Sequence, residues 1–238
     1  MKRILFFIFM SMILLLSVCA CTDKDAPDKP EPPVVDKQEY VNYFTDGMKW
    51  VSSVGGTPII GEGKGPWKEE VWIDGSIDID GVSALNLYRY NRNSDKSPRL
   101  IGYLRVEDDK VLYMNTRQGA EWNTFYDFGL TPGDVCPIEL THIDWYDMEY
   151  LIENLNISNT CIKNVKCSSL AKSKNEQGFY EMTVGLADEE GEVWLKGLGS
   201  LSGPLNNYLY SVLGYHSTLV EASLNGEVIY RNPEANIE

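Results

Sequence analysis

The stretch THIDWYDME, residues 141–149, gathers the densest set of reactive side chains in the sequence. On a strand His142 and Asp144 share a face, a spacing that a metal ion can use. Asp144, Asp147 and Glu149 are carboxylates of the kind that hydrolyse glycosides when a second acid stands across a cleft at the right separation. Nothing in the sequence supplies that second acid. The segment therefore reads as an acidic, solvated loop, with no catalytic residue and no metal ligand assigned, and the balance is against an enzyme. Trp145 in this segment, and Trp67 beside Pro66 in a glycine-rich loop, are the tryptophans expected to be exposed. Flat aromatic faces stack on sugar rings, and neighbouring polar groups bind hydroxyls. Trp67, Trp145, His142 and Asp144 are accordingly the candidate ligand-binding residues. Most of the other rings, among 6 tryptophans and 14 tyrosines, belong in a β core.

Other patterns fall short of their chemistry. Ser76, Asp78 and Asp80 superficially follow a calcium loop, but the first position is Ser and the twelfth, which requires a bidentate Glu, is Leu87. Gly61, Gly63, Lys64 and Gly65 lack phosphate-loop spacing, and no Ser or Thr follows the lysine. Ser200 and Ser202 lie among Gly197, Gly199 and Gly203 without spelling the nucleophile elbow. Only 2 histidines, His142 and His216, are present to serve as a base. No pattern calls for a cofactor.

The elements that position these residues begin with an address. Lys2 and Arg3 precede an almost unbroken apolar run over residues 4–16, which ends in Val18-Cys19-Ala20-Cys21. The run is shorter than the about 20 apolar residues that span a bilayer. Its three-part form is that of a secretory signal peptide of the lipoprotein kind. Residues 1–20 are read as the cleaved leader and Cys21 as the lipidated mature N-terminus, since Ala20 is smaller than the Val18 preceding Cys19. Residues 22–37, TDKDAPDKPEPPVVDK, contain little to bury and are expected to form a disordered tether that reaches up to ~50 Å. Residues 38–238 remain as one domain.

Charge narrows the partners. The chain carries −14 at pH 7, and losing Lys2 and Arg3 with the leader takes it to −16. Nucleic acid demands a basic surface and is excluded. The membrane is to be met through the lipid rather than through basic side chains. Beyond Cys19 and Cys21 stand Cys136, Cys161 and Cys167. Buried free thiols are the default, and Cys161 with Cys167 is the simplest disulfide if one forms.

From Trp72 onward apolar residues alternate at strand period. Asp74-Gly75, Asp80-Gly81, residues 107–110, Glu190-Gly191 and Asn225-Gly226 provide turn chemistry, the last being the strongest hairpin signal. A short helical turn is open over residues 147–154. The expected fold is mostly β, an antiparallel sandwich or barrel-like single domain built of hairpins.

Several blocks together resemble a group of short Bacteroidetes lipoproteins and secreted β proteins. They are residues 77–88, IGYLRVEDDKVLY at 101–113, FYDFGLTPGD at 125–134, WLKGLGS at 194–200 with Gly203, and GEVIY at 226–230. This chain departs from the pattern at Asp108-Asp109 and Gly75-Ser76, and it adds segments around 142–159 and 205–217. The resemblance implies a β domain at the cell surface or in the periplasm and brings no catalytic residue. The expected role is a lipid-anchored outer-membrane binding or accessory module for a glycan or a protein. An acid/base hydrolase using residues 144–149, or an assembly partner at the outer membrane, are the alternatives.

Overall fold

The computed structural model describes residues 38–56, 66–91, 96–116, 120–140, 161–186, 191–205 and 215–235. Tyr40–Glu238 forms one compact unit; of the preceding unit, Met1–Glu39, only Gln38 and Glu39 are among the described residues. The described residues are all β, in two curled antiparallel sheets that form half-barrels. The larger has eight strands in the order β13-β12-β1-β2-β3-β4-β5-β6. These are β1 (Met48–Gly56), β2 (Trp67–Ile79), β3 (Val82–Asn91), β4 (Arg99–Glu107), β5 (Lys110–Asn115), β6 (Asn123–Asp127), β12 (Tyr215–Leu224) and β13 (Glu227–Arg231). The smaller has five, β11-β10-β9-β8-β7, comprising β7 (Val135–Leu140), β8 (Cys161–Leu170), β9 (Glu181–Leu186), β10 (Glu192–Leu195) and β11 (Gly199–Ser200). Pro137 lies in β7, an edge strand where a missing N–H is tolerated.

Turn chemistry decides the hairpins. Asp80 and Gly81 have φ of 53° and 81°, and Asn225 and Gly226 have 51° and 84°. Positive φ at both central residues gives a turn whose twist matches that of the paired strands. Asp74-Gly75 is different. It does not reverse the chain: β2 runs through it, and the register with β3 shifts between Ile73 and Ser76. Gly75, at φ 71°, makes a bulge there, held by its N–H donating to Asp46 Oδ1 at 2.8 Å. Strand β1, which the apolar pattern did not announce, is central: it pairs with β2 on one side and β12 on the other.

The core lies where the two sheets meet. Trp50 of β1 and Tyr126 of β6 are buried with Phe44, Phe128 and Trp194. The Tyr126 ring meets Trp194 edge-on at 4.9 Å and stacks on Phe128 at 5.3 Å, geometries that aromatic quadrupoles favour. Their polar ends are satisfied across the sheets. Trp50 Nε1 donates to the Leu198 carbonyl at 2.9 Å and Tyr126 OH to that of Pro204 at 2.8 Å. The glycines 197, 199 and 203 form the expected bend. A Cβ on Gly197 would stand 2.0 Å from the Val41 carbonyl oxygen, so the backbones touch only because glycine is there.

Cys161 and Cys167 both lie on β8. Six residues of strand separate them by about 20 Å, whereas a disulfide needs Cα atoms within about 7 Å. The suggested pairing is therefore corrected: these two cysteines do not bridge. Cys136 and Cys167 are free and buried.

Candidate functional site

The larger sheet has two unlike ends. At one, β2–β3, β4–β5 and β12–β13 are joined by two-residue turns at 80–81, 108–109 and 225–226. At the other lie the connections 57–66, 92–98 and 116–122 and the entry to β12. The inner face at this second end is polar. Along β2 the buried positions are Glu69, Val71 and Ile73, and along β3 they are Leu87, Arg89 and Asn91. Ser52, Glu69 and Asn91 are aligned across β1, β2 and β3. Arg99 of β4 stands opposite Arg89 and therefore on the same face. Arg89 Nε donates to Glu69 Oε2 at 2.6 Å, with the two side chains 4% and 3% exposed. A charge pair so deep is held against the cost of its desolvation in part by this bond.

Trp67 opens β2 and has the parity of Glu69, so its ring lies on this inner face at the strand's end. It is partly exposed, and its indole nitrogen is covered. It is thus a strand residue, not a loop residue as its Pro-Gly surroundings suggested. Of the other sequence-derived candidates, Cys21, His142, Asp144 and Trp145 lie outside the described residues, as do Asp147, Glu149 and the helical turn expected over 147–154. Sequence reasoning passed over Glu69, Arg89 and Asn91, although a signal was present. All three fall in phase with the apolar residues of their own strands, where a charge or amide is either paired or functional.

Two further polar clusters sit between the sheets. In the first, the Ser200 hydroxyl donates to the Glu192 carboxylate, and Ser202 N–H donates to Ser200 Oγ at 2.8 Å. The hydroxyl of Tyr126 accepts from Ser200 N–H at 3.2 Å. Burial raises the Glu192 carboxyl above its ordinary value, while the bond from the Ser200 hydroxyl pulls the other way. Ser200 is fully buried; no substrate reaches its hydroxyl in this conformation, so the arrangement ties the glycine bend to β10.

The second cluster surrounds Asp127, which accepts from Gly129 N–H at 3.0 Å, as its place before a turn implied. Lys110 Nζ stands 3.4 Å from its Oδ2 and the Cys136 thiol 3.7 Å. Tyr40 OH donates to Asp109 Oδ1 at 2.8 Å nearby. Burial and the Asp127 charge push the Cys136 thiol up to about 11, which keeps it protonated and a poor nucleophile. Among the described residues no group of three or more His, Cys, Asp or Glu side chains gathers as a metal site.

At the loop-bearing end the partly exposed Trp67 and Arg99 thus share one face with the buried Glu69, Arg89 and Asn91. No family model matches the chain, and no curated protein matches it significantly. Among solved structures, a Bacteroides fragilis protein described as a candidate exported protein with a YMCC-like fold aligns with 76% of this chain and 96% of its own, at 13% identity and a TM-score of 0.32.

Proposed function

We propose that this chain is a lipid-anchored extracytoplasmic binding module, held at the outer membrane through Cys21, whose ligand is a glycan. The observation that carries the reading is the placement of the partly exposed Trp67 and Arg99 on the inner face at the loop-bearing end of the larger sheet, on the same face as the buried Glu69, Arg89 and Asn91 that fix their strands. Binding residues concentrate on connections and strand ends held by a rigid scaffold, and here the opposite end is closed by minimal turns. The blocks that resemble those of Bacteroidetes lipoproteins and secreted β proteins support this location, and the lipidated Cys21 and the tether of residues 22–37 would hold the domain away from the lipid. The acid/base hydrolase alternative rests on residues 144–149, which lie outside the described residues.

Two measurements test the proposal. Metabolic labelling with a radioactive fatty acid is expected to mark the wild-type chain and to fail for Cys21→Ala; persistent label would move the anchor to Cys19. A thermal-shift screen against a panel of soluble glycans is expected to yield a stabilising ligand, about 2.7 kcal/mol at 100 times its dissociation constant. That shift should shrink on Trp67→Ala. A protein stabilised by no glycan in the panel would remove the ligand assignment.

A further inference from the structure

The outer face of the larger sheet is not the polar surface expected of a half-barrel's solvent side. Trp72 alternates with the buried Val71 and Ile73 of β2, and Tyr88 and Tyr90 alternate with Leu87, Arg89 and Asn91 of β3. Tyr103 of β4 stands opposite Asn86 on one side and Met114 of β5 on the other. All these rings are partly exposed. The rings lie on three adjacent strands, β2 to β4, a width of about 10 Å, and Met114 of β5 extends the face beyond them. At its far margin the Arg105 guanidinium covers the Trp122 ring at 5.1 Å.

Two features identify the occupant. The charges on this face are largely neutralised within it. Lys49 Nζ binds Glu70 at 2.8 Å, with Lys68 Nζ at 3.9 Å from the same carboxylate, and Arg105 binds Glu107 at 2.7 Å. These three cations and two carboxylates leave a single positive charge, too little to hold a polyanion. The charges are nevertheless interleaved with the rings, whereas the centre of a protein interface is depleted of charge. A flat, uncharged molecule with apolar C–H faces and many hydroxyls satisfies both features. The rings are also set in advance. Trp72 and Tyr88 are cross-strand partners whose planes lie 16° apart at 5.7 Å, so a ligand that stacks on them has little side-chain motion to freeze.

We infer that the outer face of β2–β5, centred on Trp72 and Tyr88, is a platform for an extended neutral polysaccharide. The inference rests on the glycan reading above and adds a second surface for the glycan, on the opposite side of the sheet from Trp67.

The test is affinity electrophoresis of the full-length chain, in mild detergent, through gels containing soluble mannan, mixed-linkage β-glucan or arabinoxylan, with polygalacturonate as the anionic control. Circular dichroism and melting temperature verify the fold of each variant. Tyr90→Ala is the second variant, for use if Trp72→Ala or Tyr88→Ala fails to fold. The expected result is retardation by at least one neutral polymer, weakened about tenfold or more by folded Trp72→Ala, Tyr88→Ala or Tyr90→Ala. Retardation that only Trp67→Ala abolishes would overturn the platform while leaving the glycan reading in place. Retardation by polygalacturonate alone would overturn the neutral ligand. Retardation by none of the polymers would overturn the glycan reading, and the platform with it.

Discussion

The two ends of the eight-stranded sheet are made from the same strands and solve opposite problems. At the turn end the chain reverses through Asp80-Gly81 and Asn225-Gly226, residues chosen for backbone conformation and touching little else; a Cβ on Gly81 or Gly226 would meet nothing within 4 Å. At the loop end the same strands carry Glu69, Arg89 and Asn91 inward and buried. Substitution at the first end thus tests a backbone angle, and at the second an electrostatic arrangement. Strand geometry is indifferent to what it carries: β2 and β3 place Val71 and Leu87 by the same alternation that places Glu69 and Arg89.

The largest expected effect is at the loop end. Arg89→Ala removes the guanidinium that donates to the buried Glu69 carboxylate, and should cost about 3–5 kcal/mol. The double variant Glu69→Leu, Arg89→Met should recover most of that loss. Urea midpoints measure both, and an Arg89→Ala protein as stable as wild type would show that the pair is wet and weak. At the turn end the expected loss is smaller. Gly226→Ala meets no steric obstacle, so its cost of about 1–2 kcal/mol is that of a left-handed backbone alone. A loss equal to that of Arg89→Ala would erase the contrast between the ends.

The smallest effect is one of slope, between the sheets. The carboxyl of Glu192 is raised in the folded state above its ordinary 4.5. Its contribution to stability is therefore fully present below about pH 4.5 and declines as pH rises through the folded value. Glu192→Gln should flatten that decline in melting temperature above pH 4.5 and leave acid stability nearly unchanged. The exposed Asp134, whose carboxyl is lowered by bonds from Thr131, contributes with the opposite sign: its stabilisation is present above its ordinary value and is lost as pH falls through the lowered one. It serves as an internal check on the direction.

Much of the fold was legible because its signals are local. Alternation marked β3, β4 and β5, and Asn225-Gly226 marked its hairpin, since a two-residue turn must satisfy its own backbone. Other elements were not legible because their causes are distant. Asp74-Gly75 has turn chemistry, yet it becomes a bulge because β2 continues to pair with β3 beyond it and Asp46 holds its N–H. Trp67 follows Pro66 in a glycine-rich stretch, yet it is drawn into β2 by pairing with Val54. The candidate site was half legible at most. Its charged residues look ordinary until strand parity and register place Ser52, Glu69 and Asn91 in one row.

The sequence by itself determined a β chain punctuated by positive-φ turns, because each turn depends on neighbouring residues alone. Tertiary structure decided that Cys161 and Cys167 lie too far apart to bond, that Arg89 meets Glu69, and that Trp67 and Trp72 face opposite sides of one sheet. Those outcomes depend on register, and register is set by which strands pair across the whole sheet rather than by any one of them.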